Sequence, residues 1–161
     1  MNKSLLCVLL ASSSILLACK NQTQTPQNTT SPVIENNVQL KDIPFVVAER
    51  YFVNNSVTDI DSPKITTQED FEKIFGMATV MGENGRPTQI DFSKQFVIAL
   101  IKPETNRPTE LTAVSLQMNT ENELLFAYKS KIGEPQEYTI RPCLVIVVDK
   151  KNDGMIVLRE L

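Results

Sequence analysis

With residues 1–18 read below as a removable leader, the 161-residue chain has room for one domain of modest core and not for two. A formal charge of −3, with no basic, aromatic-interleaved stripe, argues against nucleic acid as a partner. Histidine is absent, which excludes Ser-His and Cys-His catalysts and histidine zinc sites; a Ser-Lys or carboxylate pair stays open, with no spacing that favours either.

The chain opens Met1-Asn2-Lys3, then runs apolar from Leu5 to Leu10, through a serine cluster, to Ile15–Ala18. A charged start, a short apolar stretch and small exit residues describe a secretory signal over 1–18. The stretch is too short and too interrupted to cross about 30 Å of hydrocarbon as a helix. Leu16-Leu17-Ala18-Cys19 is similar to the bacterial lipobox. That likeness implies that Cys19 takes acyl chains of the palmitate class and becomes the new N-terminus. The competing reading is ordinary cleavage near Ala18 with Cys19 a spare thiol. Residues 19–42 form the tether, because Lys20–Asn37 is rich in Gln, Asn, Thr, Ser and Pro and too poor in apolar surface to fold. Its reach is about 25 Å, from roughly 5–6 Å times the square root of residue number. Each buried CH₂ contributes about 0.8 kcal/mol, so two or three acyl chains hold such a body at a membrane. Lys20, rather than Asp, after the cysteine points to the outer membrane, facing the periplasm.

Residues 43–161 are expected to form a single β-rich domain. Ile43–Val53 reads as a first strand, bent near Ala48-Glu49, with Pro44 at its start. Asn54–Lys64 is turn-rich, with a short pairing expected at Val57–Ile60. Thr66-Thr67-Gln68-Glu69 matches a capping box and opens one helix. Phe71, Ile74 and Phe75 form its apolar face and Gly76 its C-terminal stop. Met77–Met81 reads as a short extended piece. Phe96–Ile101 is an uncharged apolar run, a strand buried on both faces. Leu111–Gln117 and Glu123–Lys129 flank Asn119–Asn122 as a hairpin. Arg141-Pro142 interrupts pairing ahead of a second buried strand, Cys143–Asp149. After the Asn152-Asp153-Gly154 turn, Met155–Leu161 is expected to return as that strand's hairpin partner. The class is therefore α+β, mostly antiparallel β: a small sandwich or a curled sheet with one capping helix.

Cys7 leaves with the signal and Cys19 is committed, so Cys143 has no disulfide partner and reads as a buried, inert thiol. Asp91 could be a metal ligand, but no neighbouring carboxylates accompany it and a turn role fits better. No metal or cofactor is expected.

The segments TTQEDFEKIFG, IDFSKQFVIALI, RPTELTAVSL and YTIRPCLVIVVDK, within 66–161, resemble the C-terminal domain family of the protease-complex subunit PrcB. Asp91-Phe92 and Pro108-Thr109 match its pattern, while Glu110-Leu111 stand where the family carries glycines. The resemblance implies a secreted, often lipid-anchored accessory protein that associates with another envelope or secreted protein, in the name-giving case a protease. It implies no catalytic residues. A second likeness is to chagasin-type cysteine-protease inhibitors, whose three loops Arg107-Pro108-Thr109, Gly133-Glu134-Pro135 and Arg141-Pro142 resemble in order; the family's essential glycine and tryptophan positions are missing.

The candidate binding residues are Arg107, Pro108, Thr109 and Glu110 in one loop and Arg141 and Pro142 in another. Prolines limit the entropy lost on binding and arginine anchors interfaces. A plain strand connection and a kink at a sheet edge are the competing readings. A carboxylate-based glycan hydrolase is the enzymatic alternative and requires two carboxylates about 5–10 Å apart in a cleft.

Overall fold

The structure, a computed structural model, describes residues 39–82 and 85–161. The expected signal 1–18, Cys19 and most of the tether lie outside the described residues. In chain order come β1 (Lys41–Asp42), β2 (Phe45–Val47), β3 (Tyr51–Val53), β4 (Lys64–Ile65), α1 (Gln68–Ile74), β5 (Phe75–Met77), β6 (Gln95–Ile101), β7 (Thr109–Met118), β8 (Glu123–Ile132), β9 (Cys143–Asp149) and β10 (Met155–Glu160). The class is α+β, mostly β, with mostly antiparallel pairing. Pairing begins at Lys41–Asp42, opposite Met118 and Gln117, two residues ahead of the expected domain start.

The two uncharged runs form the centre. β6 and β9 pair antiparallel, Ile98 opposite Ile146, in a sheet ordered β2-β9-β6-β4. Successive side chains of a strand point to opposite faces. Phe96, Ile98, Leu100, Leu144, Ile146 and Val148 therefore join Leu116, Leu124, Phe126 and Tyr128 of the second sheet, ordered β1-β7-β8-β10. Val97, Ala99, Val145 and Val147 pack on the other face, under Ile65, Phe71 and Phe75. Covering both faces is what makes a run without any polar alternation stable. Each fully buried Leu, Ile or Phe contributes about 1.5–3 kcal/mol.

The long β7–β8 hairpin carries a bulge between Ala113 and Ser115. Ahead of it Leu111 and Ala113 pack on the core; beyond it Leu116 and Met118 do, while Val114 stays exposed. The inserted residue flips the parity, so odd and even positions reach the same face. At the hairpin, Asn119 Oδ1 accepts from the Glu121 and Glu123 N–H groups, and Asn122 takes φ 61°, a conformation asparagine tolerates.

Five expectations need correction. The first strand is two strands in different sheets: β2 pairs with β9 and β3 with β5, and the chain turns between them at Arg50, φ 65°. Val57 and Ile60 do not pair; they pack on the second core cluster, and β4 supplies the edge pairing to β6. The helix cap is Thr67, one residue later than expected: its Oγ accepts from the Asp70 N–H at 3.1 Å and donates back to the Asp70 carboxylate. Gly76 is no helix stop. The chain turns extended at Phe75, and Gly76 lies in β5, opposite Phe52, whose half-exposed ring occupies the space of a Cβ; the extended piece expected at Met77–Met81 is this strand, ending at Met77.

The fifth correction is topological. Met155–Glu160 does not return beside β9, because β2 and β6 already occupy both of its flanks. Asp149 accepts from Lys151 N–H in a short 3-10 turn, and the chain crosses to the other sheet. There β10 pairs parallel to β8, Met155 opposite Glu123 and Glu160 opposite Tyr128. A Cβ at Gly154 would stand 2.7 Å from the Asn122 carbonyl oxygen, so the crossing needs glycine.

Candidate functional site

Strand register brings the two proline-bearing loops together. Ile101 pairs with Cys143 in one sheet and Thr109 with Ile132 in the other. Both connections, 102–108 and 133–142, therefore leave from one end and cross between sheets side by side. Backbone bonds zip them: Thr105 and Ile140 exchange N–H···O bonds of 2.9 and 2.8 Å, Lys102 N–H donates to Pro142 O at 2.9 Å, Gln136 N–H to Asn106 O at 2.8 Å, and Gly133 N–H to Pro108 O at 2.7 Å. Cooperative pairing of this kind fixes loop shape without secondary structure of its own.

The six candidates divide. Arg107 is exposed; its N–H donates to Thr105 Oγ1, its carbonyl accepts from Thr109 Oγ1, and its guanidinium reaches only the Gly133 carbonyl, at 3.5 Å. Pro108 is exposed beside it. Thr109 and Glu110 are not loop residues but the first two of β7, with Glu110 outward opposite Lys131; without the glycines, nothing interrupts pairing there. Pro142 is buried rather than displayed. Arg141 is mostly covered: its Nη2 stands 3.7 Å from a Glu104 oxygen, its Nη1 is buried with no hydrogen-bond partner, and Glu104 also accepts from Thr139. These groups, with Val53 and Asn55, line a cleft of about 330 Å³. The three segments Arg107–Thr109, Gly133–Pro135 and Arg141–Pro142 do share one end of the domain.

A four-residue cluster beside this loop pair went unread. Lys102 Nζ donates to Glu160 Oε2 at 2.7 Å and to Tyr128 Oη at 3.1 Å, and lies 5.0 Å from the Tyr128 ring centroid. Tyr128 Oη and Ser130 Oγ both donate to the Glu160 carboxylate. The bond from Lys102 holds the Glu160 carboxyl below its ordinary range, and the same bond raises the Lys102 ammonium. Each partner thus favours the charged form of the other. The cluster is suited to fixing the β6, β8 and β10 ends together. The one available sequence signal was the charge ending an apolar strand, Lys102 after Ile101; Glu160, next to Arg159, carried none.

Cys143 is a free, half-buried thiol whose burial pushes it up, consistent with an inert role. Asp91 accepts from Ser93 N–H and Oγ as a turn former and pairs with Lys94. Among the described residues no group of three or more acidic or cysteine side chains could hold a metal ion, and no helix is long and apolar enough to cross a membrane. No family model, curated protein or solved structure significantly matches the chain.

Proposed function

We propose that this chain is a lipid-anchored accessory protein of the bacterial envelope, held through acylated Cys19 at the outer membrane, that binds another envelope or secreted protein through its zipped loop end. In this reading the two larger sheets are the halves of a small sandwich, α1 caps the outer face, and the domain belongs with the PrcB C-terminal domains as a non-enzymatic partner, with a protease as the client class. The observation that carries it is the loop pair: two connections stiffened by five backbone bonds and Pro103, Pro108, Pro135 and Pro142 present exposed Arg107 and Tyr138 in a fixed array. Preorganised arginine and tyrosine lose little entropy on docking. The test has two arms. Palmitate labelling of the whole protein should disappear in Cys19→Ala, together with sedimentation in the membrane fraction. Photo-crosslinkers at positions 107 and 138 should capture one recurrent envelope protein, and their failure while a control position on α1 succeeds overturns the reading.

A second reading, protease inhibition of the chagasin type, is favoured by the shared end of Arg107–Thr109, Gly133–Pro135 and Arg141–Pro142. It expects the purified protein to slow a papain-like protease and Arg107→Ala to weaken that effect; unchanged hydrolysis rates reject it.

A further inference from the structure

Among the ion pairs of the described residues Arg141 is the most covered cation, its side chain 20% exposed, and the least satisfied. Its Nη2 stands 3.7 Å from Glu104 Oε2, beyond hydrogen-bond reach, and its Nη1 is buried with no partner. Lys102, the comparable cation at the same end, holds Glu160 at 2.7 Å. A covered guanidinium left without hydrogen bonds costs free energy that a close pair would recover. Glu104 is held back from it by Thr139, whose hydroxyl donates to the other carboxylate oxygen.

Both charges stand on fixed backbone. Thr105, after Glu104, and Ile140, before Arg141, exchange N–H···O bonds, and Pro142 O accepts from Lys102 N–H. A third wall comes from the end of β3. Val53 lies opposite Phe75, and Asn54 donates its side-chain amide to the Glu72 and Lys73 carbonyls at 3.1 and 3.0 Å, which places Asn55 at the rim. Val53, Asn55, Glu104, Thr139, Ile140 and Arg141 together line the cleft of about 330 Å³. At about 30 Å³ per water, it has room for roughly ten non-hydrogen atoms.

We propose that this cleft binds a zwitterionic α-amino acid with an apolar side chain. A small turn of the guanidinium brings both Nη atoms onto the ligand carboxylate, the bidentate geometry that arginine favours. The ligand ammonium lies against Glu104, with the Asn55 amide oxygen beside it, and the apolar side chain covers Val53 and Ile140. The two protein charges are neighbours, so the ligand's must be too, and in an α-amino acid one carbon separates them. Glu104 repels a phosphate or a simple carboxylate from the guanidinium, and Arg141 repels a simple amine from Glu104. Nothing in this site requires the protein contact proposed above.

The test is titration calorimetry on the whole protein in detergent micelles with leucine, isocaproate (the same skeleton without the ammonium) and isoamylamine (without the carboxylate). Leucine should bind with about millimolar Kd, and each analogue about tenfold or more weaker. Arg141→Lys keeps the charge but loses the planar fork, and should weaken leucine about tenfold. Glu104→Gln, a change at a half-exposed side chain, should weaken leucine about tenfold while isocaproate binds no worse, because a repelling charge is gone. A merely structural role would move both ligands alike. Equal binding of leucine and isocaproate, leucine binding unchanged in Glu104→Gln, both ligands weakening alike there, or no heat up to about 50 mM leucine overturns the proposal.

Discussion

The two ends of the β domain close by different means. At the hairpin end the turns are largely self-satisfied, with Asn119 accepting two amides, Asp149 accepting Lys151 N–H and Asp91 accepting Ser93 N–H, and Lys150, bonded to the Lys94 and Phe92 carbonyls, ties two of them together. At the loop end the closure is long-range, through Thr105–Ile140, Lys102–Glu160 and Arg141–Glu104, and it leaves a buried guanidinium nitrogen unpaired and two clefts open. The self-satisfied end leaves one buried polar atom without a partner, Asn152 Nδ2, and opens neither cleft. Closure assembled from distant segments leaves gaps and free charge, and these are what binding uses.

The comparison can be broken most severely in the core that both ends share. Phe126→Ala leaves a cavity where a fully buried ring packs, at an expected cost of about 3–5 kcal/mol in urea unfolding. Next, Gly154→Ala puts a methyl against the Asn122 carbonyl and should cost about 1–3 kcal/mol, with the loop-end clefts unchanged. A smaller effect is expected at Glu160. Its folded carboxyl sits below its ordinary range because of Lys102, so the pairing stabilises fully above that ordinary range and fades as pH falls through the lowered folded value. Between about pH 6 and pH 3 the urea midpoint of the natural protein should therefore fall more than that of Glu160→Gln; parallel curves would show the pair to be idle. Smallest for stability is Arg107→Ala, within about 0.5 kcal/mol, since the side chain covers nothing. A large loss there would mean that the loop end is held as tightly as the other.

What was legible followed from local pattern. Phe96–Ile101 and Cys143–Asp149 carry no charge through their buried stretches, so their central place was readable, as were the Asn119–Asn122 hairpin and the bend near Ala48-Glu49. Alternation tells which face a residue occupies but not which strand lies beside it. The parallel pairing of β10 was therefore hidden: Asn152-Asp153-Gly154 has the composition of a hairpin turn, and only the occupied flanks of β9 forbid one. Lys102 and Glu160, 58 positions apart, carry no local mark of their meeting. The candidate loops were half readable. Arg107 and Pro108 are displayed as expected, but the burial of Pro142 and the anchoring of Arg141 on Glu104 depend on the loops lying side by side.

The crossing of β10 between sheets also governs how the molecule comes into being. Its six residues must find partners 32 positions earlier, Met155 beside Glu123, with a strand of the opposite sheet intervening. Pairings so remote in sequence make folding slow. Until they form, the rim beside Leu124 and Phe126 is a sticky ledge, and that interval is where escort by a chaperone would have its greatest effect on yield.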